Sequence, residues 1–337
     1  MAGERFGFRA GALALLCALG GGQAVAEDNH VVTLQVENDL FFGHTDRDYT
    51  NGMRLTYVHN PGEVSGADSI SAMLKGLSFV ARHSPDSQIY YSFGLGQNMY
   101  TPQDIQNPDL ILDDRPYAGW TYLEFGVSVQ SQNDLEVLKI DAGMVGPASL
   151  AEFTQRQWHK LIGSPIPQGW SHQLPNEPGL NLHYFLAHRI RTGGEKGGRW
   201  GFDVTPHVGL ALGNIYTYGA VGATFRFGSN LDRELGAPPR IQPSLPGSDY
   251  FGGSGLDFYV FAGGEVRGVV RDIFLDGTWR SHEHDVEKNT FVADLQVGFV
   301  LLWNDVRLAI THAFRTDTYK IQHGGHEYGA ITLSYRF

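Results

Sequence analysis

"ITLSYRF", residues 331–337, closes the chain, and its reading decides the fold. Ile331, Leu333, Tyr335 and Phe337 fall on one face at period two; Thr332, Ser334 and Arg336 fall on the other. Successive side chains of an extended strand point to opposite faces, so the alternation predicts a strand with one apolar and one polar face. The pattern recurs upstream. In "GWTYLEFGVSVQ" (119–130), Thr121, Leu123, Phe125, Val127 and Val129 alternate with Tyr122, Glu124, Gly126, Ser128 and Gln130. In "TYGAVGATFRF" (217–227), Val221, Ala223, Phe225 and Phe227 alternate with Ala220, Gly222, Thr224 and Arg226.

A soluble sandwich that buries the apolar face would produce this pattern. So would a transmembrane barrel that turns it to lipid and keeps a polar lumen. Three features favour the barrel. The N-terminus reads as an export signal: Arg5 and Arg9, then "GALALLCALG", then "AVA" before Glu27. Most segments reach the nine to eleven or so residues that a tilted membrane strand needs. The terminal Phe337 on an alternating strand resembles the C-terminal signal of bacterial outer-membrane proteins. The predicted fold class is therefore all-β: a transmembrane antiparallel β-barrel following a signal peptide at 1–26. Closure is required, because an open sheet edge in hydrocarbon leaves backbone groups unpaired.

Twelve strands are predicted, near 30–38, 50–58, 88–98, 119–131, 135–146, 181–191, 199–212, 216–228, 256–276, 289–303, 305–315 and 326–337. The even number suits a single-chain bacterial barrel. With both termini periplasmic, the outward connections are 39–49, 99–118, 147–180, 213–215, 277–288 and 316–325. Two inward connections are long. Residues 60–87 place Ile70, Met73, Leu74, Leu77 and Val80 at helical spacing. This predicts an amphipathic helix that either plugs the lumen or lies at the interface. Residues 229–255, with "APPRIQPSLPGS", read as an irregular turn or a lumen insert.

Composition narrows the function. Of 337 residues, 42% are hydrophobic and 43 are Gly without a three-residue period, which excludes disorder and a collagen-like chain. The lone cysteine, Cys17, lies in the signal segment and follows Leu16, which is too large for a lipoprotein signal. The exported chain thus has no thiol for disulfides, thiolate catalysis or cysteine metal sites. No window has 18 consecutive apolar residues, so no transmembrane helix is expected. The formal charge of −11 argues against nucleic acid as a partner. An anionic ligand would need local basic residues or a bound cation.

The outward loops hold the chemistry-bearing residues. The first carries Asn38, Asp39, Asp46, Arg47, Asp48 and Thr50, hard oxygens of the kind Ca²⁺ accepts, at a spacing that matches no EF-hand; a solvated loop has the same composition. By alternation Thr50 shares a face with Arg54 and Thr56 and looks into the barrel mouth. The second ends in "DDRPYAGW" (113–120), where Arg115 suits either a salt bridge with Asp114 or a phosphate. The third contains "LAEFTQRQWHKLIG" (150–163), which reads as a helix capped by Ser149 and ended by Gly163. Leu150, Phe153, Trp158, Leu161 and Ile162 give it an apolar side. Gln155 and His159 share one face at i and i+4, and Arg156 and Lys160 form a second such pair. A lone histidine is more often structural, but the ordinary imidazole pKa suits a general base near neutral pH. There is no G-x-S-x-G elbow and no H-E-x-x-H helix.

"ENDLFFGHTDRDYTNG", "DDRPYAGW", "GMVGPASLAEFTQRQWHKLIG" and "PQGWSHQLPNEP", in this order, together resemble the outer-membrane lipid A 3′-O-deacylases of the LpxR type. The resemblance implies a twelve-stranded barrel that removes the 3′-linked acyloxyacyl group of lipid A in the outer leaflet, with Ca²⁺ as cofactor and lipopolysaccharide as partner. It implies that His159 activates a water and that Ca²⁺ near Asp39 polarises the ester carbonyl. Asn38 and Thr50 would orient groups or donate to the oxyanion, and Arg115, Arg156 and Lys160 would meet the anionic lipid. The family carries a glutamate shortly after the histidine. Here that stretch is "GSPIP", with Ser164, Pro165 and Ile166, and Glu177 is the candidate substitute ligand. The alternatives are a non-catalytic barrel, porin-like or inactive, and an outer-membrane phospholipase.

Overall fold

The structure is a computed structural model that describes residues 30–41, 48–59, 76–193, 200–279 and 285–337. The signal segment, Asp46, Arg47 and the helical spacing over Ile70, Met73 and Leu74 lie outside the described residues.

The strands are β1 (His30–Asn38), β2 (Asp48–His59), β3 (Gln88–Thr101), β4 (Ala118–Gln130), β5 (Asp134–Val145), β6 (Glu177–His188), β7 (Ile190–Gly193), β8 (Trp200–Gly213), β9 (Tyr216–Ser229), β10 (Leu256–Asp272), β11 (Phe291–Trp303), β12 (Val306–Arg315) and β13 (His326–Arg336). Consecutive strands pair antiparallel except β6 and β7, which both pair with β8, and β1 pairs with β13. The sheet therefore closes on itself and leaves no edge for hydrocarbon to meet. β6 and β7 are two halves of one stave, so the barrel has the twelve staves that the alternation predicts. The break falls at Arg189, whose backbone N–H donates to Asn133 O and whose guanidinium donates to Gln132 O and Leu231 O. The predicted strand 256–276 stops at Asp272 instead. Its carboxylate accepts from Phe274 N and caps a single helical turn, Ile273–Asp276.

The wall is apolar outside and polar inside. Leu55, Phe93, Leu95, Leu123, Phe125 and Ile140 are exposed on the outer face. Their strand neighbours Arg54, Glu124, Lys139 and Asp141 are buried within. This is the order expected of a lipid-embedded barrel and the reverse of a soluble core. No described helix is long and apolar enough to cross a membrane.

Residues 230–255 are a lumen insert. Arg240 donates to both carboxylate oxygens of Glu37, at 3.2 Å each, and Ile241 N donates to Glu37 Oε1. Arg307 pairs with Glu234 at 2.6 Å, Arg233 with Asp257 at 3.2 Å, and Lys139 bridges Glu124 and Asp249 at 3.0 Å. Arg226 pairs with Asp203 and also donates to the carbonyls of Glu234 and Gly236. Taking ions out of water costs several kcal/mol each, so such charges persist only where opposite charges and carbonyls meet them.

Of the other long connection, only residues 76–87 are described, and these lie at the interface rather than in the lumen. Its described part includes the short helix α1 (Phe79–His83). Val80 packs on Ile89 and Val129, which share the outward face with Phe93 and Phe125, so α1 lies against the outside of the wall. The Ser78 hydroxyl and Val80 N both donate to Glu136 Oε2 and pin it there.

Candidate functional site

The candidate residues come from connections at the barrel end opposite the chain termini. The rim of β2 decides how they are arranged. Between Tyr49 and Asn51 the register with β3 shifts: Tyr49 faces Tyr100, Asn51 faces Met99, and Thr50 is the extra residue. Two residues then oppose one, and the alternation slips by one position. Tyr49 points inward, where its ring meets those of Tyr100 and Tyr328. Thr50 and Asn51 therefore both lie on the outer side. This corrects the expectation that Thr50 looks into the barrel mouth with Arg54. Its hydroxyl instead lies 2.6 Å from that of Thr101, the residue after inward-facing Tyr100. Two hydroxyls at that distance share one hydrogen, so the acceptor's own O–H is aimed elsewhere.

Asn38 joins this outer patch. It sits directly opposite Asn51 across β1 and β2, and its Nδ2 donates to Thr50 O at 3.1 Å. Asp39 follows at once, in the 3-10 turn Asp39–Phe41, and is fully buried. Asn51 Oδ1 is buried and accepts no hydrogen bond from any described residue.

The third outward loop covers the neighbouring wall. Helix α2 (Ala151–Ile162) begins after the 3-10 turn Pro147–Ser149 and ends on Gly163, whose φ of 74° suits glycine. Leu150, in the left-handed region, holds the N-cap position that Ser149 was expected to fill. Ser149 anchors the helix differently: its carbonyl accepts from Gln97 Nε2 and Thr121 Oγ1, both at 2.7 Å. Ala151 packs with Met99, Tyr117 and Trp170. Gly119 makes the close approach possible, since a Cβ there would overlap the Ser149 hydroxyl and the Ala151 methyl. Met99 is the hinge of the arrangement. It faces Asn51 across the strands and Ala151 across the helix contact, so helix and patch share one area of outer wall.

The buried edge of α2 is polar. Gln155 accepts from Trp170 Nε1 at 2.7 Å, and His159, only 2% exposed, places Nδ1 2.6 Å from Pro165 O. A carbonyl can only accept, so Nδ1 carries the hydrogen and Nε2 of the neutral ring carries the lone pair. The stretch "GSPIP", which has no carboxylate, thus supplies the imidazole's orienting partner through its backbone.

The remaining candidates separate. Arg156 donates to Glu152 at 2.9 Å on the open side of α2, and Lys160 is exposed beside it. Arg115 is buried on the lumen side: its guanidinium lies 4.7 Å over the Tyr100 ring and 3.8 Å from Asp48, which has a φ of 65°. The salt-bridge reading matches this geometry, with Asp48 in place of Asp114; a phosphate at the outer patch would not meet this arginine. Glu177 does not join Asp39. It opens β6, separated from β1 and β2 by β3, β4 and β5, and its two carboxylate oxygens accept from Asn214 Nδ2 and Trp279 N. That use explains the residue as a latch between loops.

Thr101, Asn51 and the Pro165 carbonyl were missed from sequence. Only the bulge brings Thr101 to Thr50, and a backbone carbonyl leaves no mark in a residue pattern. No group of three or more His, Cys, Asp or Glu capable of holding a metal occurs among the described residues. The groups at the patch are instead the amides of Asn38 and Asn51 and the oxygens of Thr50, with the buried carboxylate of Asp39 on the next residue of the chain. An all-oxygen set containing a buried amide oxygen without a hydrogen bond fits a hard cation such as Ca²⁺ in donor type.

The family model for the outer membrane protein LpxR matches residues 10–337. The chain belongs to the LpxR family. Among solved structures, LpxR from Salmonella typhimurium is similar to it at 20% identity and a TM-score of 0.75, covering 91% of this chain and 100% of that one. The β domain of the Bordetella autotransporter BrkA follows at 9% identity and a TM-score of 0.41, covering 91% and 97%. No curated protein sequence matches. LpxR membership assigns the barrel to the outer membrane and agrees with its twelve staves.

Proposed function

We propose that the chain is a lipid A deacylase that hydrolyses the 3′-linked acyloxyacyl ester of lipopolysaccharide from the outer leaflet. The observation that carries this reading is the hydrogen bond from His159 Nδ1 to Pro165 O, which holds a buried imidazole in the tautomer a general base needs. Nε2 takes a proton from water as the oxygen attacks the ester carbonyl. The imidazolium then returns that proton to the departing 3′ oxygen, giving a free acyloxyacyl acid and a sugar hydroxyl. Thr101 donates to Thr50, and the Thr50 hydroxyl donates to the developing oxyanion. Asn38 is committed to Thr50 O and fixes that residue in place. Asp39 and the amide oxygen of Asn51 would hold Ca²⁺, which when bound supplies positive charge that polarises the ester carbonyl. Arg156 and Lys160 offer cationic contacts to lipid phosphates from the open side of α2.

The lumen insert supports an enzyme over a porin, because a conducting barrel needs an open lumen. The test is incubation of the purified barrel with lipopolysaccharide, with and without Ca²⁺, followed by mass spectrometry of the lipid. Calcium-dependent release of an acyloxyacyl acid is the expected result, and an unchanged lipid A mass would overturn the proposal. Equal turnover of a competing glycerophospholipid would instead point to a phospholipase. Sidedness is tested by a tag at Ser164, which should be reachable from outside intact cells.

A further inference from the structure

The apolar side of α2 is not where it packs. Phe153, Leu161 and Trp158 are 64%, 77% and 43% exposed, while Gln155 and His159 are buried. A helix on a soluble protein shows the opposite order. At 3.6 residues per turn, side chains at i and i+4 line up along the helix, and α2 separates into three stripes. Ala151, Gln155 and His159 form the buried stripe, which meets the wall at Ala151 and the following loop at Gln155 and His159. Glu152, Arg156 and Lys160 form a charged stripe on one side. Leu150, Trp158 and Leu161, with Thr154 among them, form a mostly apolar stripe on the other, with Phe153 and Gln157 on the crown.

The wall beneath α2 identifies what covers the apolar stripe. The helix sits on the outer face of β3 and β4, and the same outward rows continue as Leu95, Leu123 and Phe125, which belong to the lipid-facing belt. The apolar stripe extends that belt, and a charged stripe flanks it. We infer that α2 is an interfacial helix docked in the leaflet: its apolar stripe contacts acyl chains, its charged stripe lies level with the headgroups, and its third side closes on the barrel. The inference rests on the lipid belt and is independent of the proposed reaction. It assigns Leu161, Trp158 and Phe153 as an acyl-chain contact surface beside His159.

The test uses the full chain with Cys17→Ser, reconstituted in phosphatidylcholine–phosphatidylglycerol vesicles and carrying single spin-labelled cysteines. Leu161→Cys is compared with Leu123→Cys in the belt and Gln103→Cys in an exposed loop, by collision with oxygen and with a water-soluble nickel chelate. Leu161 should match Leu123, and Lys160→Cys should fall between the two references. Overturning results are Leu161 matching Gln103, or Lys160 as deep as Leu161. A second measurement needs no label. Vesicles of brominated-chain phosphatidylcholine should quench the emission lost on Trp158→Phe, and undiminished Trp158 emission would overturn the inference even where a cysteine variant fails to fold.

Discussion

The lumen insert and the outer patch under α2 are both polar and both buried, yet opposite chemistries hold them. Inside, guanidinium and ammonium groups meet carboxylates: Arg240 with Glu37, Arg307 with Glu234, Arg226 with Asp203, and Lys139 with Glu124 and Asp249. Outside, mostly neutral groups meet one another: Gln97 and Thr121 hold Ser149 O to the wall, Trp170 holds Gln155 within the loop, Thr50 lies beside Thr101 on the wall, and His159 donates to Pro165 O. A buried ion pair has its charge matched and serves to fix position. A neutral amide, hydroxyl or imidazole carries both donors and lone pairs, the groups that proton transfer and oxyanion binding use. On the proposed function, the lumen is architecture and the outer patch is chemistry.

The sharpest test of that division is His159→Ala. Activity should fall about 10²–10⁴-fold, the usual worth of a general base, while the urea midpoint of the barrel barely moves. Comparable loss of activity from a folded lumen variant would erase the distinction. Arg240→Ala is the reverse experiment. It strands the Glu37 carboxylate in the lumen and should cost roughly 3–5 kcal/mol, read from denaturant unfolding in detergent. Pairing Arg240→Met with Glu37→Gln should recover most of that loss.

Gly119→Ala probes the contact between the outer wall and α2. Overpacking typically costs about 1–3 kcal/mol, and here the strain falls on the seat of α2. Trypsin cleavage after Arg156 or Lys160 should accelerate while the barrel itself stays resistant; an unchanged rate would mean that the helix does not depend on this contact. Thr101→Val removes the hydroxyl beside Thr50. One hydrogen bond is worth about 0.5–1.5 kcal/mol, so kcat should drop about two- to tenfold, and Thr101→Ser should restore it. The smallest effect belongs to Arg156→Ala. The pair with Glu152 is open to solvent, and its loss should change stability by less than about 0.5 kcal/mol.

The staves were legible because each must alternate to separate lipid from lumen, and that requirement is written at every second residue. The helix 151–162 and its stop at Gly163 were legible too, since i, i+4 spacing and a glycine terminator are local signals. What depends on register was not. The bulge that turns Thr50 outward has no signature in "DYTNG", and strict alternation gave the wrong face. The partners of Arg115 and Glu177 also escaped, because Asp48 and Asn214 are set beside them by the closed sheet, far from them in sequence. The apolar side of α2 was visible from spacing, but the direction it faces was not, since a lipid-facing helix inverts the usual rule.

The irregularity at Tyr49 and Asn51 has a wider consequence. One added residue at a strand end acts as a crossover between two compartments: side chains below it obey one parity, and those above it obey the other. A barrel can thus move a hydroxyl from the inner to the outer side of its wall without changing its stave count. Variation of rim length by a single position, in this chain or a related one, is therefore a switch of solvent as much as a change of loop size.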